Sequence, residues 1–165
     1  MTEKDLLSGK KLIIVDDEPD VLETLEELLD MCELSKAISF DEAKVLLETQ
    51  EFDLAILDIM GVNGYRLLDI AIKKGITAVM LTAHALTPDN IVKSIKQGAA
   101  FFIPKEEMGN ITTYLNDVLE AKEKGKSTWI NWLVRLSEAY WAKKFGPDWQ
   151  SKDKEFWKEF IKYHY

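Results

Sequence analysis

Two tetrads, Leu54-Ala55-Ile56-Leu57 and Ala78-Val79-Met80-Leu81, are apolar at every position and are flanked by polar residues. A strand with one wet face alternates polar and apolar residues, so unbroken runs this short belong to strands covered on both faces. Such strands occur in parallel sheets whose crossover helices lie on the two sides. Lys11 to Val15 and Ala100 to Ile103 read the same way, and the more polar Leu34 to Ile38 supplies a fifth run. Helical periodicity occupies Asp20 to Met31, Glu42 to Thr49, Tyr65 to Lys73, Pro88 to Gln97 and Glu106 to Lys124. Pro19 suits a first helical turn, where its missing N–H costs nothing. Five strand and helix pairs predict a doubly wound α/β fold with a five-stranded parallel sheet.

The 165 residues carry 29 acids against 21 bases, but the imbalance is local. Residues 1–125 hold 24 acids and 13 bases, whereas residues 126–165 hold 5 acids, 8 bases and all five Trp. The composition therefore shifts near Lys124-Gly125-Lys126-Ser127, a helix stop and restart. We expect a main domain at 1–125 and an aromatic-rich two-helix extension at 126–165. An acidic body repels nucleic acid phosphates, and the extension is short and only mildly basic, so DNA binding is disfavoured. No apolar run reaches the roughly 18 to 20 residues needed to span a bilayer, and the single Cys32 suits a reducing compartment. A cytoplasmic protein without a membrane segment is expected.

In doubly wound sheets, ligands bind beyond the carboxyl ends of the strands. The residues there are Asp16 and Asp17, Asp58, Thr82 with His84 close by, and Lys105. Two carboxylates about 4 Å apart repel by about 4 kcal/mol at an effective dielectric near 20, so three together need a cation or must protonate. Mg2+ favours oxygen ligands and is typically held by one or two carboxylates together with a phosphoryl oxygen. Lys105 supplies a second positive charge.

Asp16-Asp17 after the first strand, Asp58 after the third, Thr82-Ala83 after the fourth and Lys105 after the fifth, in that order, resemble the response regulator receiver family of two-component signalling. The resemblance spans residues 10–124 and extends to Gly98-Ala99 before the fifth strand. It implies a flavodoxin-like sheet of order 2-1-3-4-5 and Asp58 as the acceptor of a phosphoryl group from a sensor histidine kinase or phosphotransfer protein. It further implies Mg2+ held by Asp17, Asp58 and the Met60 carbonyl, with Asp16 acting largely through coordinated water. Thr82 and Lys105 would bind phosphoryl oxygens, and Phe102 stands at the family's aromatic switch position.

Two segments differ from the family pattern. Asp58-Ile59-Met60-Gly61-Val62-Asn63-Gly64 reaches Gly64 about two residues early and lacks a Pro, although Asn63-Gly64 favours a tight turn with positive φ. Pro104 precedes Lys105 where the family often has Pro after it, and Glu106 follows, placed to compete for the Lys105 charge. The alternative to a phosphorylated switch is a pseudo-receiver, an interaction module of the same fold that is not phosphorylated. A Mg2+-dependent hydrolase with an aspartyl nucleophile is a third class.

In the extension, Trp129, Trp132, Leu133, Leu136 and Tyr140 recur at helical spacing, Phe145-Gly146-Pro147-Asp148 breaks the chain, and Phe156, Trp157, Phe160 and Ile161 begin a second stripe. About 40 residues without disulfide or metal rarely sustain a core of their own. The aromatic faces must therefore bury against the main domain or a second subunit. We expect an output or homodimer surface, with an unknown downstream partner.

Overall fold

The computed structural model describes residues 5–83, 86–129 and 131–164. His84 and the side chain of Leu133, both singled out above, lie outside the described set. The chain runs β1 (Lys11–Val15), α1 (Pro19–Leu28), β2 (Glu33–Ala37), α2 (Phe40–Thr49), β3 (Leu54–Leu57), α3 (Gly64–Lys73), β4 (Thr77–Thr82), α4 (Pro88–Lys96) and β5 (Phe101–Pro104). A 3-10 segment at Lys105–Asn110, α5 (Ile111–Glu123), α6 (Trp132–Arg135), α7 (Glu138–Phe145), a 3-10 turn at Ser151–Asp153 and α8 (Lys154–His164) follow. The strands form one parallel sheet in the order β2-β1-β3-β4-β5, as expected.

Local chemistry explains the boundaries. Pro19 opens α1, and Ser39 caps α2 by accepting from the Glu42 amide at 3.2 Å. Thr87 does the same for α4 through the Asn90 amide, with Pro88 in the first turn. The helix expected from Glu106 begins only at Ile111, because the chain leaves β5 through Pro104 and first closes a 3-10 segment. It ends at Glu123, where Gly125 at φ 68 lets the Lys126 amide return to the Ala121 carbonyl at 2.8 Å. β3 is buried at all four positions, and β4 from its second residue onward, which is why their sequences read as continuous apolar runs. Cys32 immediately precedes β2, half-buried, its thiol donating to the Leu7 carbonyl at 3.4 Å. Among the described residues no helix is long and apolar enough to cross a membrane.

The extension departs from the expected pair of helices. Its first stripe divides into α6 and α7, because Leu136 leaves helical geometry and Ser137 starts a new helix by accepting from the Tyr140 amide at 3.2 Å. The break at Phe145 to Asp148 falls as read. All five Trp are buried, and they pack within the same chain. Trp129 stacks on Phe101 of β5 at 5.6 Å, and its indole N–H donates to the Ala99 carbonyl. The Trp132 indole N–H donates to the Phe102 carbonyl at 3.0 Å. Arg135 clasps the buried Asp117 of α5 through two hydrogen bonds, and Lys96 of α4 pairs with Asp153 at 3.6 Å. The aromatic stripes expected to face a second subunit are thus largely satisfied in cis, against the edge strand β5 and its two neighbouring helices.

Candidate functional site

Register assembles the site. Val15 of β1 is paired with Leu57 of β3, and the Asp58 amide continues that ladder by donating to the Val15 carbonyl at 3.0 Å. The Asp16 amide likewise donates to Ala37 at the end of β2. Asp16 and Asp58 therefore leave adjacent parallel strands side by side. On the other flank, Thr82 is paired with Pro104, which delivers Lys105 one residue later.

Asp16 and Asp58 are only 1% and 3% exposed, and Thr82 is fully buried. The Lys105 ammonium enters among the acids, 2.8 Å from Asp16 Oδ2, 3.6 Å from Asp58 Oδ2 and 3.8 Å from Glu18 Oε1. Its shorter contact is with Asp16 and not with the central acid. Burial opposes the Lys105 charge, but the Asp16 hydrogen bond and the fields of Asp58, Asp16 and Glu18 outweigh it and push the pKa up. Asp16 is pushed up by burial against the pull of Lys105.

Asp58 is pushed up to about 6. Burial is the main cause and the negative field of Asp16 adds to it, while Lys105 and a hydrogen bond from the Thr82 hydroxyl pull the other way. The cluster thus carries more negative charge than its lysine neutralises. The Glu18 amide donates to Asp16 Oδ1 at 2.9 Å, and this turn gathers carboxylate oxygens of Asp16, Asp17 and Glu18 within 4.8 Å of one another.

The short loop after Asp58 curls tightly onto the site. Gly61 and Asn63 take positive φ values of 84° and 55°, and the Gly64 amide donates back to the Ile59 carbonyl at 3.0 Å. A Cβ on Gly61 would lie 2.4 Å from Asp17 Oδ2, and one on Gly64 would lie 1.9 Å from the Asp58 carbonyl oxygen. Both glycines are needed for close approach. Met60 rides on this turn with its side chain half exposed. Hard oxygen donors around an undercompensated negative cluster fit a divalent cation such as Mg2+.

Glu106 does not compete for Lys105. Its carboxylate accepts the Tyr140 hydroxyl and pairs with Lys144, both on α7, and these contacts, the Lys144 hydrogen bond first, hold it below the usual carboxylate range. The sequence places Glu106 next to Lys105 but carries no sign of these partners, which lie 34 and 38 positions away. Glu18, at the N-cap position of α1, also faces the ammonium. Phe101 and Phe102 are both fully buried, with Phe101 turned toward Tyr114 and Trp129.

A parallel sheet of this order, with an acidic pair, a buried acid on its central strand, a hydroxyl and a lysine at one end, defines a doubly wound protein with a carboxylate-centred site. The description "Response regulator receiver domain" matches residues 12–116, and the chain belongs to that family of two-component signalling domains. Two-component response regulator ARR18 of Arabidopsis thaliana is 33% identical over 113 residues, covering 62% of this chain and 18% of the plant protein. Two-component response regulator ORR21 of Oryza sativa subsp. japonica is 30% identical over 114 residues, covering 62% of this chain and 16% of its own length. The chain thus spans less than a fifth of either relative. Among solved structures, a CheY-like response regulator receiver domain protein from Methanospirillum hungatei JF-1 superposes with a TM-score of 0.59 at 26% identity, covering 70% of this chain and 99% of that one. A Burkholderia pseudomallei response regulator, solved with a phosphorylated aspartic acid, calcium ion and citrate, shares the fold with a TM-score of 0.56 at 21% identity, covering 70% and 73%.

Proposed function

We propose that the chain is a cytoplasmic phosphorylation switch. Asp58 accepts a phosphoryl group from the phosphohistidine of a sensor histidine kinase or phosphotransfer protein, and the modified protein engages a downstream protein partner. The observation that carries this reading is the convergence of Asp58, Asp16, Thr82 and Lys105 at the carboxyl end of the sheet.

Phosphoryl transfer asks a protein mainly for positioning and for charge stabilisation on in-line oxygens. An Asp58 carboxylate oxygen bonds to phosphorus as the P–N bond of the donor breaks, and the bonding pair returns to the imidazole nitrogen, which takes up a proton. Lys105, already beside Asp58, pairs with an oxygen of the transferred group. Thr82 exchanges its hydrogen bond to the Asp58 carboxylate for one to a phosphoryl oxygen. Asp17, Asp58 and the Met60 carbonyl would hold Mg2+, with Asp16 contributing its charge to the same site. When bound, the ion neutralises charge on the transferring group.

The test is intact mass after treatment with acetyl phosphate and Mg2+. One phosphoryl addition is expected in the wild type, and none in Asp58→Asn or in chelator. A wild type that gains no mass under these conditions is a pseudo-receiver, an interaction module that is not phosphorylated.

A further inference from the structure

We infer that Tyr140 and Lys144 of α7 are positioning residues for Lys105, acting through Glu106. Lys105 and Glu106 are consecutive at the start of the 3-10 segment, so a negative charge is tethered one residue along the backbone from the lysine that the site needs. The Lys105 side chain is 9% exposed, and its ammonium faces Asp16, Asp58 and Glu18. The Glu106 side chain is about half exposed and is taken up instead by Tyr140 and Lys144.

Glu18, also about half exposed, shows that a surface carboxylate reaches within 3.8 Å of this ammonium. A released Glu106 has the same opportunity from the neighbouring position. It would draw Lys105 away from Asp58 and from an arriving phosphoryl group. The Trp132 hydrogen bond to the Phe102 carbonyl seats the extension three residues upstream of Lys105, which sets α7 over the segment it controls. The extension is in this way part of the site's machinery without touching the reacting atoms. The inference rests on the phosphoacceptor reading above.

The test compares wild type, Tyr140→Phe/Lys144→Ala, Glu106→Gln and the triple variant in the full chain. Two readouts are taken: the rate of Asp58 phosphorylation by acetyl phosphate with Mg2+, and the NMR shift of the Lys105 side-chain nitrogen at one pH without phosphoryl donor. The double variant is expected to be phosphorylated about fivefold more slowly and to move the Lys105 resonance. Adding Glu106→Gln is expected to return both values to those of Glu106→Gln alone, because the competing charge is gone while the α7 contacts stay broken. Failure of the rescue would mean that the α7 contacts act by general support, and an unmoved resonance in the double variant would overturn the inference directly. If the wild type is not phosphorylated at all, the phosphoacceptor reading falls, and the NMR comparison still decides whether α7 controls Lys105.

Discussion

At the scale of single residues, the site is governed by an imbalance of charge at Asp58. An acid whose pKa rises from 3.8 to about 6 on folding binds more protons in the native state between those values. Its favourable contribution is fully present below about 4 and is lost as pH climbs through about 6. Above that, the native protein holds an undercompensated carboxylate. In metal-free buffer, Asp58→Asn is therefore expected to be more stable than the wild type at pH 8 by on the order of 1 kcal/mol after solvent screening, about 3 °C in melting temperature. The gap should roughly halve by pH 5 and close below about pH 4. A calorimetric difference independent of pH would show that Lys105 already neutralises Asp58. The residue types of this site were legible in the sequence because each stands one or two steps past an apolar run. Their pairing was not, since the preference of Lys105 for Asp16 over Asp58 depends on rotamers and on sub-ångström strand register.

Among the elements, the loop from Asp58 to Gly64 shows how a local signal and its physical use diverge. Asn63-Gly64 reads as a turn with positive φ, and Asn63 adopts it at 55°, but Gly64 is already the first residue of α3. Glycine is required there by space, since a Cβ would sit 1.9 Å from the Asp58 carbonyl oxygen. Gly64→Ala is expected to cost about 3 kcal/mol, because backbone and not a flexible side chain must give way. Denaturant titration checks this, and a loss below about 1 kcal/mol would mean that the loop relaxes easily. The parallel sheet and its five helices were readable from doubly buried runs and from caps such as Ser39 and Thr87. The split of the first aromatic stripe into α6 and α7 was not, because the hydrophobic period runs on through the Ser137 cap. Likewise the helical pattern from Glu106 concealed a 3-10 segment, whose tighter hydrogen bonding leaves no trace in side-chain periodicity.

For the molecule as a whole, one apolar cluster runs from the sheet into the extension without a break. Removing residues after Gly125 would uncover the Phe101 ring and leave the buried Asp117 carboxylate without its arginine. A chain ending at Gly125 is expected to melt at least about 5 °C lower and to aggregate in light scattering, while the full chain scatters as a monomer. A dimer mass for the full chain, with a stable monomeric truncation, would instead return the aromatic stripes to the second-subunit role. The location of the tryptophans has a spectroscopic consequence. None of the five lies in the sheet or its five helices, yet Trp132 is hydrogen-bonded to β5 and Trp129 stacks on it. Intrinsic emission is consequently a native, label-free reporter of whether the extension is seated. Far-ultraviolet dichroism follows mainly the sheet and its helices. The two signals should lose amplitude together in a melt, and any condition that shifts emission while leaving dichroism unchanged would mark an undocked extension on an intact receiver.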